Sequence, residues 1–143
     1  MGKSSDDGDL AAISNFEKAI EEDSNYAPAY AALARSYYSA AMGDGALPYQ
    51  EAMPKAEAAA KKAVELDNTL GLAHAVLGNV QRMFHSDWVE AEKEYKLAIE
   101  LDLNAGRAYE GYGSLMSVMQ RHDEAITLAR RAQLVDPRAR EPR

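Results

Sequence analysis

The chain is 143 residues long, 47% apolar and 27% charged, with a formal net charge of −7. That is one domain's length with enough apolar residues for a core, which excludes a disordered polyampholyte, and its acidic balance excludes a nucleic-acid binder, which needs a basic face to neutralise phosphates. The lack of cysteine excludes disulfides and thiol chemistry, and no apolar run approaches the ~18 residues of a membrane span or forms a signal-peptide core.

Ala, Glu, Lys and Leu dominate and β-branched residues are few, which predicts an all-helical protein. Residues 1–9 are expected to be a tail, disordered or left over from expression. A first helix is predicted over 10–22, with Ile13, Phe16, Ala19 and Ile20 as its apolar stripe. A second runs over 27–40, with Pro28 tolerated in its first turn and Tyr30, Leu33, Ala34 and Tyr37 on one face. The Gly and Pro content of 42–48 predicts a loop. Pro54 removes a hydrogen bond from any continuous helix, so the third helix is placed from about Pro54 to Leu66, with at most one turn over 49–53. Its stripe is Ala56, Ala60, Ala63 and Val64. A central pair follows at 70–84 and 88–101, and a last pair at 105–119 and 123–135. The stripes of that last pair are Tyr109, Tyr112, Gly113 and Met116, then Ala125, Ala129 and Ala132. Pro137 stops the final helix, and residues 138–143 form a tail with no apolar face to bury.

The elements repeat. AIEEDS, AVELDN, AIELDL and AQLVDP begin at Ala19, Ala63, Ala98 and Ala132, at spacings of 44, 35 and 34 residues. A helix–turn–helix period of about 34 residues is the tetratricopeptide one, and the longer spacing is that period with an insertion in 42–53. The first helices carry Tyr30, Leu33, Ala34, Tyr37; His74, Leu77, Gly78, Gln81; and Tyr109, Tyr112, Gly113, Met116. The second helices carry Ala12, Phe16, Ala19; Ala56, Ala60, Ala63; Ala91, Tyr95, Ala98; and Ala125, Ala129, Ala132, Pro137. Four copies in register resemble the tetratricopeptide pattern of aromatic-x-x-Leu-Gly-x-x-Tyr followed by Ala-x-x-x-Phe-x-x-Ala and a closing proline.

The resemblance implies an all-α solenoid of antiparallel helix pairs, a right-handed superhelix of about seven helices. The chain divides into a half repeat at 10–24 and repeats at 27–68, 71–103 and 106–137, making one domain over 10–137. The run LPYQEAMPKAEAAAKKAVELD, with GLAHAVLGNV and DWVEAEKEYKLAIELD, is also similar to bacterial tetratricopeptide regions joined to signalling modules such as Ser/Thr kinases, adenylate cyclases and winged-helix regulators. That likeness implies an alternative role as a regulatory or oligomerisation segment acting within a larger parent chain.

The resemblance further implies that first helices line a concave groove that holds a peptide or protein segment. Carried onto this sequence, the groove positions are Ala31, Arg35, Tyr38, Leu72, Ala75, Asn79, Arg82, Met83, Arg107, Glu110, Ser114 and Ser117. Arg35, Arg82 and Arg107 can fork onto carboxylates and Asn79 can clasp a peptide backbone. The two-carboxylate clamp that reads chaperone tails is not reproduced, since its positions hold Ala31, Arg35, Val76, Arg107 and Gly111.

The three histidines, His74, His85 and His122, have no metal-ligand spacing, and His74 stands where an aromatic packing residue is expected. Trp88 is expected to pack over a helix junction or to mark an exposed contact. No phosphate loop, catalytic triad order or H-E-x-x-H occurs, so neither cofactor nor catalysis is expected. The expected partner is a protein or peptide, with no nucleic-acid or membrane contact by this segment. A cytoplasmic location is expected, or an extracytoplasmic one within a longer parent chain.

Charge is unevenly spread: residues 1–23 carry seven acids against Lys3 and Lys18, and residues 130–143 carry five arginines against Asp136 and Glu141. Both are read first as solvated ends. Gln133 stands where earlier repeats have Ile20, Val64 and Ile99, while Ile126, Leu134 and Val135 stay apolar beside it. The end helices are therefore expected to be incompletely capped and open to salt-sensitive self-association.

Overall fold

The computed structural model describes residues 5–43 and 45–135, so Pro137 and the arginines of the C-terminal tail lie outside the described residues. Seven α-helices follow one another: α1 Ser5–Glu22, α2 Ala27–Met42, α3 Tyr49–Leu66, α4 Gly71–Val80, α5 Trp88–Leu101, α6 Gly106–Val118 and α7 His122–Val135. Each packs against the next, and α4 also packs against both α2 and α6. The result is two layers, with α2, α4 and α6 inside and α1, α3, α5 and α7 outside, the helix-pair solenoid expected from the repeat.

Small residues set the closeness of the layers. Ala34, Ala52, Ala56, Ala60, Ala63, Ala73, Ala91, Ala98 and Ala108 are fully buried, as are the larger Met53, Val80, Tyr95, Leu115 and Met116. Of the predicted packing residues, Leu33, Leu77, Gly78, Tyr109, Gly113 and Ala132 are also buried, while Phe16, Ala19, Tyr30 and Ala125 are half-buried. The outer layer thins toward the end, where Ile126 and Leu134 of α7 are largely exposed.

The helix starts and stops differ from the periodicity in three places. First, α1 begins at Ser5 rather than near residue 10, since no proline interrupts the run and a first turn needs no apolar face. Second, α3 starts at Tyr49 and runs straight through Pro54. An interior proline costs about 3 kcal/mol. Against it stand the full burial of Met53, roughly 1.5–3 kcal/mol, and a hydrogen bond worth about 1 kcal/mol from the Tyr49 hydroxyl to the Met83 carbonyl at 2.8 Å. Pro54 itself lies on the exposed face. Third, the helix predicted over 70–84 does not stay α. It widens after Val80 into a π-helical turn, Gln81–His85, closed by Ser86 in the left-handed region at φ 55°. The Gln81 carbonyl accepts from the Ser86 and Asp87 amides. Such widenings re-aim the side chains they carry.

The turns between pairs repeat one device. Asp23, Asp67 and Asp102 each accept, through Oδ1, from the amide two residues on, at 3.1, 3.0 and 3.0 Å. Across each turn the aromatic position of the following inner helix reaches back six residues to a carbonyl: Tyr30 to Ser24 at 3.0 Å, His74 to Asn68 at 3.0 Å and Tyr109 to Leu103 at 3.1 Å. The expected substitution of His74 for an aromatic is thus a functional replacement of a phenol by a ring N–H.

It adds a charge. The other ring nitrogen of His74, Nδ1, lies 2.7 Å from Oε1 of Glu94 on α5. Both nitrogens face acceptors, so the imidazolium is the form that satisfies both. The hydrogen bond to Glu94 raises the imidazole's pKa above 6.5, burial opposes it, and the Asn68 carbonyl adds to the rise. A raised folded-state pKa contributes stability that is full below about pH 6.5 and is lost as pH climbs through the folded value. Chemical denaturation across about pH 6 to 9 is expected to show stability falling with pH, and His74→Tyr, which keeps the reach to Asn68, is expected to remove most of that slope.

Candidate functional site

The inner helices enclose a concavity of about 390 Å³ lined by Arg35 and Tyr38 of α2, Leu72, Ala75, Val76 and Asn79 of α4, Arg82 of the π turn, and Arg107, Glu110, Gly111 and Ser114 of α6. Nine of the predicted groove residues, Arg35, Tyr38, Leu72, Ala75, Asn79, Arg82, Arg107, Glu110 and Ser114, therefore share one wall. Met83 does not join them. The π turn rotates it toward the core, against which it packs, while its sulfur accepts from Arg82 Nη1 at 3.1 Å. Ala31 is buried with Ala63 and Ala73 instead of facing the groove. Ser117 lines a neighbouring depression with Gly113, Ala125, Ala129 and Ala132.

The floor is built by a residue of the outer layer. Tyr95 of α5 is fully buried, and its ring fills a notch left by two glycines. A Cβ at Gly78 would stand 2.8 Å from the ring, and one at Gly111 would stand 2.7 Å from its hydroxyl and from Asn79 Oδ1. Through this notch the buried phenol reaches Arg82 and Asn79, which line the groove. Its hydroxyl donates to Asn79 Oδ1 at 2.5 Å and accepts from Arg82 Nε at 3.0 Å. Burial pushes the phenol's pKa up to about 12, with Arg82 pulling the other way, so the hydroxyl remains a donor at any ordinary pH. Tyr38 is raised for the same reason and opposed by the same guanidinium.

Tyr95 thus occupies the acceptor of Asn79 and one edge of Arg82. The Arg82 Nη2 sits 3.5 Å from the same Asn79 oxygen. With Nη1 turned to the Met83 sulfur, each guanidinium nitrogen of Arg82 has one protein contact, and Nη1, Nη2 and the Asn79 amide NH₂ keep N–H groups that these contacts do not use.

The charge pattern points the same way. Arg35, Arg82 and Arg107 face the concavity against Glu110 alone. Among the described residues none of the three has a carboxylate within ion-pair distance. The chain does pair an arginine where pairing is structural: Arg121 sits 3.1 Å from Glu92 and 2.6 Å from Glu124, and these carboxylates raise its pKa.

Residues outside the groove resolve more simply. His85 Nε2 meets both oxygens of Glu57 at 3.0 Å, His122 is exposed, and Trp88 is 40% exposed at the start of α5. Among the described residues no three His, Asp or Glu side chains gather as a metal site, and no helix is long and apolar enough to cross a membrane. Glu21, Glu22 and Asp23 and, at the other end, Arg130 and Arg131 are exposed, while Arg138, Arg140 and Arg143 fall outside the described residues.

The sequence reading took Val76 and Gly111 only as positions of the absent two-carboxylate clamp and Tyr95 only as a packing residue, whereas Val76 and Gly111 line the groove and Tyr95 holds Asn79 and Arg82 from beneath it. The available signal was the pairing of Gly78 and Gly111 on neighbouring inner helices with one large aromatic between them. Gly111→Ala is expected to force Tyr95 and Asn79 apart at a cost of about 1–3 kcal/mol, measured by urea denaturation. The exposed neighbour Ser114→Ala is expected to stay within about 0.5 kcal/mol of wild type.

No protein-family model matches the chain, and no curated protein matches it. Solved structures do. The protein MamA aligns over 97% of this chain and 80% of its own, at TM-score 0.65 and 23% identity. TTC0263, a thermophilic TPR protein of Thermus thermophilus, aligns over 87% at TM-score 0.69 and 20% identity, and this chain spans 64% of its length. The second TPR of Spaghetti (RPAP3), bound to the HSP90 peptide SRMEEVD, aligns over 94% of this chain and 100% of its own, at TM-score 0.59 and 17% identity. What is shared at such identities is the fold, an all-α solenoid of antiparallel helix pairs.

Proposed function

We propose that this chain, a tetratricopeptide-repeat solenoid by fold, is a non-catalytic protein-interaction scaffold that holds a peptide or extended protein segment in its concave groove. One observation carries the reading: three arginines from three successive inner-layer segments converge on one concavity without carboxylate partners, in a chain whose net charge is −7. Arg35 and Arg82 are half-buried without an acid, which is unfavourable, and an incoming anion relieves it, while Arg107 adds an exposed cation beside them. Arg82 is held in place before any ligand arrives, which reduces the ordering cost of binding. The RPAP3 domain, solved with a bound peptide, supports use of this fold as a peptide holder.

The wall offers donors, cations and one exposed carboxylate, with no histidine or cysteine among its lining residues. That inventory suits holding a ligand and gives no poised nucleophile–base pair for turning one over. Ligand capture here differs from the two-carboxylate clamp, because Ala31 is buried and Gly111 is filled by Tyr95 and Asn79.

Random peptides displayed on phage and selected on the wild-type chain test the reading. Selected peptides are expected to bind an Arg35→Ala/Arg82→Ala/Arg107→Ala variant at least about tenfold more weakly, with the helical circular-dichroism signal retained. Equal binding by the folded variant removes the groove from the mechanism.

A further inference from the structure

The last helix departs from its counterparts in the earlier repeats along one side. With Ala63, Ala98 and Ala132 aligned, Glu57 and Glu92 of α3 and α5 correspond to Ile126 of α7. Both carboxylates reach into the repeat that follows: Glu57 meets His85, and Glu92 accepts from Tyr112 and Arg121. Ile126 instead stands 51% exposed. One turn and a half further on the exchange runs the other way, from Val64 and Ile99 to Gln133. A further repeat of the internal kind stacked on α7 would meet an aliphatic side chain in place of an acid and an amide in place of an aliphatic one. The face is therefore shaped for a different occupant.

His122, Ile126, Ala129 and Gln133 are all exposed and follow one another at steps of four, three and four residues, the seam spacing of two helices packed side by side. Two antiparallel copies of this seam are complementary. Ile126 of each lies opposite Ala129 of the other, and His122 opposite Gln133, so a large side chain meets a small one and a polar one meets a polar one. Asp123 and Arg130 each come one residue after a seam position, on the same flank and seven residues apart. Antiparallel packing sets equal flanks face to face, which brings each Asp123 beside the other copy's Arg130. Neither residue has an opposite charge three or four positions away on α7, whereas Lys55, Lys61 and Lys96 of α3 and α5 do.

We propose that this side of α7 is a docking surface for a second copy of the chain, the two α7 helices packing antiparallel about a two-fold axis near Thr127. Asp123 and Arg130 are then exchanged between the copies, and each contact occurs twice. None of these residues lines the concavity, so the docking surface is separate from the ligand groove. An acid early and a base late in α7 also suit the helix dipole, but that effect acts within one chain.

Sedimentation equilibrium of the chain at rising concentration tests the proposal, with a monomer–dimer equilibrium expected. Asp123→Arg sets arginine against arginine on both flanks, and Arg130→Asp sets aspartate against aspartate. Each alone is expected to weaken association at least about tenfold. Mixed in equal amounts, the two variants are expected to associate with each other about as tightly as wild type, since every flank then joins arginine to aspartate. A chain carrying both changes is expected to dimerise too, although its charges now oppose the helix dipole. Ile126→Glu, which restores the internal repeats' residue at an exposed position, is expected to abolish the dimer while the helical circular-dichroism signal is retained.

A chain that stays monomeric at every concentration overturns the proposal. So does a dimer that ignores both charge reversals or Ile126→Glu, which places the contact elsewhere. Single variants that weaken the dimer, stay folded and do not recover on mixing overturn the antiparallel exchange and with it the proposal.

Discussion

The structure depends on the seating of Tyr95 between Gly78 and Gly111. A full aromatic ring from the outer layer passes between two inner helices, which is possible only because neither carries a Cβ at the point of passage. The ring joins α4, α5 and α6 into one packed unit and stacks on Tyr112 with centroids 5.9 Å apart. Its hydroxyl stays buried and meets Asn79 and Arg82, two residues of the groove wall, from beneath. Core packing and ligand chemistry are therefore one interaction here, and a change to either glycine acts on both.

A second constraint reaches the groove from the insertion between α2 and α3. By starting at Tyr49, α3 sends a phenol across to the Met83 carbonyl, and the Tyr49 and Phe84 rings meet at 5.9 Å. This contact falls on the π turn, where widened backbone geometry leaves carbonyls in need of donors. The turn in turn sets where Arg82 leaves the backbone. The inserted segment thus acts on the groove through packing, without lining it.

The repeat architecture was legible in the sequence because it is a matter of period. Alanines and aromatics recurring at helical spacing, and four ELD-like closings in register, require helix pairs that stack on one another. Eight of the nine predicted positions that line the concavity were also legible, since inner-helix positions follow from register alone. The ninth, Arg82, lies in the π turn, where register no longer fixes the direction of a side chain. Met83 was misplaced for a local reason: a helix assumed to keep 3.6 residues per turn through Phe84 opens at Gln81, and each later side chain rotates. The start of α3 was misplaced because Pro54 reads as a local stop, while the compensating burial of Met53 and the bond from Tyr49 involve residues distant in sequence.

The sequence by itself determined the helix content, the two-layer stacking and the inward position of Arg35, Asn79 and Arg107, all consequences of spacing along one chain. Only the tertiary structure decided what those residues present. That the Asn79 oxygen is taken, that Arg82 is held before a ligand arrives, and that the His74 pKa is raised follow from partners 13 to 20 residues away on the neighbouring helix. Spacing along the chain specifies which face a side chain lies on. Hydrogen bonds are short and directional, so donor and acceptor roles are assigned only when the helices have packed and their side chains have met.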